Sequence, residues 1–111
     1  MKEVIFNRKN YNSYKDFYTQ IYKDLDGKSI PDWEDYQDLC YSADALNEFL
    51  WYCHNDNIKY SFVNFDKGKI ALQKNYDNYE YNIIIRVFER FVANYPNNTL
   101  EFRMEDEKNN H

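Results

Sequence analysis

The sequence predicts an α/β fold, in which a small three-stranded parallel sheet is packed by three or four helices. Short runs rich in β-branched and aromatic residues at 3–7, 58–65 and 99–104 have the pattern of strands, and segments of helical periodicity separate them. Strands joined through helices are normally parallel, with right-handed crossovers. A chain of 111 residues is long enough for one hydrophobic core. We therefore expect a single domain over residues 1–104 and a polar tail at 105–111 that frays.

The first helix is bracketed by start and stop signals. Its apolar residues recur three and four positions apart, at Tyr14, Phe17, Tyr18, Ile21 and Leu25. Ser13 and Asp16 have the spacing of a capping box with a shortened acid, and Gly27 suits the position that follows a helix C-terminus. These signals predict a helix over residues 14–26.

The segment from Ser29 to Ile58 contains none of the 14 Lys and Arg residues of the chain. Its acids are Asp32, Glu34, Asp35, Asp38, Asp44, Glu48 and Asp56. The net charge of −5 therefore originates in this segment. Solvated helices normally interleave both signs at i and i+4, because like charges at that spacing repel. Acids held together without bases indicate a surface that a cationic partner recognises.

Within this segment the spacing predicts a second helix over residues 35–52, with two contrasting faces. Asp32 and Asp35 are both candidate N-caps, so the start of the helix stays open. The apolar stripe consists of Leu39, Ala43, Leu46, Leu50 and Cys53. The opposite face carries Gln37, Tyr41, Asp44, Glu48, Trp51 and Tyr52. Rings placed around acids are typical of a recognition surface, and a helix packed by its leucine stripe presents this face to water.

The central strand is predicted at residues 58–65. This run is apolar on both faces, which is the pattern of a strand covered on both sides. After it, residues 66–73 either return as a short hairpin or dock as a loop.

A third helix and a third strand complete the predicted fold. Asp77 or Asn78 is the expected N-cap of this helix, and Pro96 ends it. The strand that follows has an apolar side formed by Leu100, Phe102 and Met104.

The sequence carries no catalytic constellation and no metal-binding or cofactor-binding motif. His54 is the one histidine inside the predicted domain, and Cys40 and Cys53 do not have metal-ligand spacing relative to it. Two glycines, Gly27 and Gly68, cannot form a glycine-rich phosphate loop. We therefore expect a protein that is not an enzyme and holds no cofactor.

Cysteine spacing and hydropathy predict a cytoplasmic protein. Cys40 and Cys53 lie too far apart on the predicted helix to form a disulfide, and free thiols are typical of a reducing compartment. No apolar run approaches the roughly 18 residues of a membrane span, and we expect no signal peptide before the first strand. The net charge of −5 argues against nucleic acid and anionic membranes as direct partners.

Five stretches of the chain resemble the barstar family of intracellular ribonuclease inhibitors. In order along residues 3–104 they are VIFNRKNYNSYKDFYTQIYKDL, IPDW, ADALNEFL, RVFERF and LEFRM. The family pattern is a strand, a helix opened by Ser-x-x-Asp, a proline followed by aromatics, a Leu-Asp-Ala-Leu helix, and then strand, helix and strand. The resemblance implies the same α/β fold that the periodicity predicts.

Proteins of that family insert an acidic helix and the loop before it into the active site of a basic ribonuclease, where carboxylates take the place of substrate phosphate. By this resemblance, Asp44 and Glu48 match the two helical acids of the family, and Trp33 matches the aromatic residue after the proline. The chain differs from the family pattern where DYQDLCYS replaces Tyr-Gly-x-Asn, where Asn47 replaces a tryptophan, and where Arg90 replaces an acid.

The leading functional hypothesis is a protein that is monomeric when free and inhibits a basic ribonuclease or a related nuclease. Its predicted contact residues are Trp33, Asp38, Tyr41, Asp44 and Glu48. One alternative is a DNA-mimic inhibitor of a DNA-binding protein, encoded by a mobile element, although lysines on the first helix and in the loop after the central strand oppose it. Another is a small enzyme, which requires a pocket beside Asp44, Glu48 or His54.

Overall fold

The computed structural model describes residues 2–26, 41–53, 57–66 and 75–105. Its elements are β1 (Lys2–Asn7), a 3₁₀ helix (Arg8–Asn10), α1 (Tyr14–Asp26), α2 (Ala43–Cys53), β2 (Ile58–Val63), α3 (Tyr76–Asn94) and β3 (Thr99–Arg103). The strands form one sheet in the order β1-β2-β3, and both pairs are parallel. The predicted fold class is therefore confirmed, with β2 in the centre of the sheet.

The core lies between one face of the sheet and the helices, and it is dominated by aromatic rings. In register, the sheet rows on this side are Val4, Tyr60 and Leu100, and then Phe6, Phe62 and Phe102. The ring centroid of Phe62 lies 5.2 Å from that of Phe88 in α3 and 6.1 Å from that of Phe17 in α1. Edge and tilted ring pairs of this kind contribute about 0.5–1.5 kcal/mol each beyond their buried area. The central strand thus joins the helices through one continuous aromatic cluster.

The other face of β2 is covered in part by charged side chains from the neighbouring strands. The hydroxyl of the buried Ser61 donates to a carboxylate oxygen of Glu3 at 2.5 Å. Lys59 Nζ lies 3.1 Å from Glu101 and 3.9 Å from Glu3. Arg103 Nη1 lies 3.0 Å from Glu101 and 3.3 Å from Glu3. These five residues, which we call the sheet network, help to bury the second side of the strand.

The first helix has its predicted bounds, but its N-terminus is capped differently. Asp16 accepts a hydrogen bond from the backbone N–H of Asn12 at 2.8 Å, where the capping box predicts Ser13 as the donor. The N–H of Tyr14 donates to Asp77 of α3 at 2.9 Å. The acid predicted to cap its own helix therefore caps the neighbouring one, and this bond ties α1 to α3.

The third helix begins earlier than the predicted caps. The side-chain oxygen of Asn75 accepts from the N–H of Asn78 at 2.8 Å, so Asn75 is the N-cap and neither Asp77 nor Asn78 has that role. The helix ends at Asn94, before Pro96, as the sequence predicts.

Two strands end earlier than predicted. The central strand stops at Val63 because Asn64 has φ of 65°, in the left-handed region that interrupts an extended ladder. The last strand stops at Arg103, and Met104, predicted on its buried side, is 63% exposed. The predicted loop after the central strand lies, beyond its first residue, outside the described residues.

The side chain of Asn98 forms hydrogen bonds to the start of the central strand and to Tyr95, which follows α3. This side chain is only 1% exposed. Its oxygen accepts from the N–H of Ile58 at 3.1 Å, and its nitrogen donates to the carbonyl of Tyr95 at 3.2 Å. A buried backbone N–H at the beginning of β2 therefore depends on one carboxamide.

We expect Asn98→Ala to lower the free energy of unfolding by about 1–3 kcal/mol, because the N–H of Ile58 then loses its acceptor while it stays buried. Urea denaturation measures this change. The matched control is Asn97→Ala, at the exposed neighbouring position, which we expect to stay within about 0.5 kcal/mol of the unmodified protein. Equal losses in the two variants would contradict this role of Asn98.

The sheet network also predicts a loss of stability in acid. The hydrogen bond from Ser61 holds the pKa of Glu3 below its ordinary value of 4.5, and Lys59 lowers the pKa of Glu101 in the same direction. A carboxylate with a lower pKa in the folded state contributes stability above its unfolded pKa, and this stability is lost as pH falls through the folded pKa. Between about pH 5 and pH 3, the urea midpoint of the unmodified protein should therefore fall more steeply than that of a Glu3→Gln, Glu101→Gln variant. Equal slopes would show that the network does not couple folding to protonation.

Candidate protein-binding surface

Ser42 sets the N-terminus of α2. Its hydroxyl oxygen accepts a hydrogen bond from the N–H of Ala45 at 3.2 Å, which is the geometry of a serine N-cap. Tyr41 and Ser42 themselves lie in a bend before the helix. The continuous helix predicted over 35–52 is therefore wrong at these two positions, and residues 35–40 lie outside the described residues.

One face of α2 packs into the core through the predicted leucine stripe. Leu46 and Leu50 are fully buried, at 0% and 1% exposure, and Ala43 is half-buried. Phe49 packs edge-on against Tyr22 of α1, with ring centroids 4.6 Å apart. Of the other predicted stripe residues, Leu39 and the side chain of Cys53 lie outside the described residues. The two leucines suffice to fix which side of the helix faces water.

The opposite face of α2 is exposed and is formed by Asp44, Asn47, Glu48 and Trp51. We call these four residues the acidic face. They are spaced three and four positions apart, so their side chains share one side of the helix. Trp51 is 63% exposed, which is unusual for the largest apolar side chain. The predicted exposure of Asp44, Glu48 and Trp51 is thus confirmed.

The two carboxylates of the acidic face have no partner among the residues that the structure describes. Among the described residues, neither Asp44 nor Glu48 has an ion-pair or side-chain hydrogen-bond partner. Asp44 lies in the first turn, where the helix dipole favours a negative charge. Glu48 lies one turn further along, where that benefit has faded and the like charge of Asp44 repels it.

Other described acids are placed differently. Those that bind a side chain or backbone group of this protein include Glu3 and Glu101 in the sheet network, Glu105 beside Arg103, Asp77 beside Arg8, Asp16 and Asp24. The lack of a described partner for Asp44 and Glu48 is therefore a local property of α2 and does not follow from a general excess of acid.

Tyr41 lies in the bend before α2 and not on the helix face where the spacing predicts it, and its role as a contact residue stays a prediction. Its ring is half-buried, with its centroid 6.0 Å from that of Tyr18, and Lys15 Nζ lies 5.5 Å from the centre of the ring. The helical spacing that places it beside Asp44 does not apply, because Tyr41 precedes the helix. The predicted contact residues Trp33 and Asp38 lie outside the described residues.

A groove borders the acidic face, between α2 and α3. It has a volume of about 330 Å³ and is lined by Asn47, Trp51, Arg90, Phe91, Asn94 and Tyr95. Arg90 is exposed and has no ion-pair partner among the described residues. Sequence reasoning did not predict this groove, because it requires the relative placement of two helices. The spacing of Arg90 and Asn94 by four residues, outside the apolar stripe of α3, was the available signal.

The described ranges show no other chemistry at this surface. They contain no group of three or more His, Cys, Asp or Glu side chains placed to hold a metal ion. None of the described helices combines the length and the apolarity that crossing a lipid bilayer requires.

Glu48 lies one turn from Asp44 and has no base beside it in the described part of the chain, so we expect this acid to lower the stability of the free protein. We expect Glu48→Lys to raise the free energy of unfolding by about 0.5 kcal/mol, because an opposite charge then lies one turn from Asp44. Urea denaturation of the two proteins measures the difference. The control is Glu101→Lys, which removes an acid that lies beside Lys59 and Arg103 and is expected to lower the free energy of unfolding. A decrease for Glu48→Lys would contradict the unpaired state.

Comparison with known proteins identifies no relative: no protein-family model and no curated protein matches this chain.

Proposed function

We propose that this protein binds and inhibits a basic ribonuclease, or a related nuclease, through the acidic face of α2. The observation that carries the proposal is the state of Asp44 and Glu48. They are exposed one turn apart on a helix that is firmly packed on its other side, and they have no partner within the described residues. The resemblance of ADALNEFL to the acidic helix of barstar-like inhibitors supports the same surface.

Electrostatics favours a cationic protein as the partner. Two unpaired carboxylates on one helix face repel each other in the free protein, and a partner's lysines or arginines relieve that repulsion on binding. A net charge of −5 also speeds the encounter with a basic cleft, where field lines converge. The cleft of a ribonuclease is basic because it binds phosphate, so paired carboxylates are suited to enter it.

Trp51 supplies the apolar part of the proposed contact. Tryptophan is among the residues that most often dominate binding energy, provided that it is desolvated at the centre of an interface. At 63% exposure the indole has a large surface left to bury. Because Leu46 and Leu50 hold the helix in place, the ring and the carboxylates are presented from a rigid element, which reduces the entropy that binding costs.

Two features favour this proposal over the other functions. A DNA mimic presents unpaired acids over much of its surface, whereas Glu3 and Glu101 on the sheet are neutralised by Lys59 and Arg103. An enzyme needs reactive groups in a cleft, and the lining of the groove beside the acidic face contains no carboxylate, imidazole or thiol.

We expect the protein to inhibit a barnase-type ribonuclease at low ionic strength. The Asp44→Ala, Glu48→Ala variant is expected to raise the inhibition constant about 100-fold, because the basic groups of the ribonuclease then lose both carboxylates. The measurement is ribonuclease activity against inhibitor concentration, with and without added salt, which weakens the contact by screening.

The matched control is a Glu3→Ala, Glu101→Ala variant, which removes the same net charge from the sheet and leaves α2 intact. It is expected to change the inhibition constant by less than about threefold, through long-range attraction alone. Equal losses in the two double variants would show that only net charge matters. No inhibition of any basic ribonuclease at low salt would contradict the proposed function itself.

A further inference from the structure

The groove between α2 and α3 has the opposite electrostatic character to the acidic face that it borders. Asn47 and Trp51 belong to both surfaces, so the groove and the acidic face meet along α2. The lining contains one guanidinium, from Arg90, and no acid. Arg90 is exposed and has no ion-pair partner among the described residues, although the chain as a whole has more acids than bases. Its guanidinium is therefore available to donate hydrogen bonds to an anion.

The remaining lining fits a flat, singly charged anion. Asn47 and Asn94 carry carboxamides that donate hydrogen bonds, and the guanidinium of Arg90 presents parallel N–H groups to a carboxylate. The rings of Trp51, Phe91 and Tyr95 supply apolar walls. A volume of about 330 Å³ lies at the small end of ligand clefts, which suits one side chain better than a large organic molecule.

We propose that this groove receives an acidic side chain, glutamate or aspartate, of the protein partner that the acidic face binds. This inference rests on the proposed function and extends it. The interface then contains charges of both signs. Asp44 and Glu48 contact basic groups of the partner, and Arg90 contacts an acidic side chain that lies next to those basic groups. Such alternation specifies the partner and its orientation, because a partner with a uniformly basic surface leaves Arg90 against like charge.

A phosphate is the other anion that a guanidinium accepts, and the surroundings disfavour it. The unpaired carboxylates of Asp44 and Glu48 lie on the same helix as Asn47 and Trp51, and the protein carries a net charge of −5. A doubly charged phosphate, or a strand of nucleic acid, is repelled by this field more strongly than one carboxylate is.

The groove is tested first without any ribonuclease. The probe is N-acetylglutamate N-methylamide, titrated against ¹⁵N-labelled protein while the indole N–H resonance of Trp51 is followed. We expect a saturable shift in the millimolar range, as befits a ligand of this size. The chain has two tryptophans, and Trp51→Phe identifies which indole resonance belongs to Trp51.

Matched variants and probes show whether the shift depends on Arg90 and on the carboxylate of the probe. Arg90→Gln is expected to abolish the shift, and Arg86→Gln, at an exposed arginine one turn away and outside the groove, to keep it. The glutamine analogue of the probe, and sodium chloride at equal ionic strength, should not reproduce the shift. A shift that survives Arg90→Gln, no saturable shift, or tighter binding of inorganic phosphate than of the glutamate probe would each overturn the inference.

Ribonuclease inhibition then separates this inference from the proposed function. Arg90→Glu is expected to weaken inhibition about tenfold, whereas Arg86→Glu, which changes the net charge equally, should change it by less than about threefold. Inhibition by the unmodified protein with no effect of Arg90→Glu would refute the groove and leave the acidic face standing. If the unmodified protein inhibits no ribonuclease, the proposed function fails, and the titration still decides whether the groove binds a carboxylate.

Discussion

The burial of Leu46 and Leu50 is the constraint on which the acidic face depends. These two side chains, at 0% and 1% exposure, pack α2 against the core and determine which side of the helix faces water. Everything on the opposite side, including the carboxylates and the indole of Trp51, is exposed as a consequence. The groove beside it exists for the same reason, since the depth at which α2 sits sets the gap that Arg90 and Tyr95 of the α3 side line.

Much of this arrangement could be predicted from the sequence, because it follows from burial at a regular period. Alternation and apolar runs located all three strands, and spacing by three and four residues located the helices and the exposed side of α2. The identity of the central strand also followed, since a run such as 58–65 has no fully solvated face. In each of these cases a hydrophobic pattern spans several residues, so one local exception does not change the outcome.

Helix starts could not be predicted equally well, because single side chains decide them. Ser42 and Asn75 cap α2 and α3, although the acids nearby looked equally able to do so. Asp77 instead accepts a hydrogen bond from the backbone N–H of Tyr14 in α1. Because α2 starts at Ala43, Tyr41 lies before the helix and not on its predicted face. The groove with Arg90 was not predicted, because its lining requires the relative placement of two helices.

Carboxylates have two opposite roles in this protein, and their position in the fold separates them. In the sheet network, Glu3 and Glu101 lie on rigid adjacent strands at distances where Lys59 and Arg103 reach both, and their lowered pKa values show that the charged form is stabilised. The sequence of α2 contains no Lys or Arg, so the two carboxylates there have no basic neighbour on their own helix. Two like charges one turn apart lower the stability of the helix that carries them. The aromatic cluster around the central strand and the sheet network stabilise the fold elsewhere, and they offset the cost of leaving Asp44 and Glu48 without a partner among the described residues.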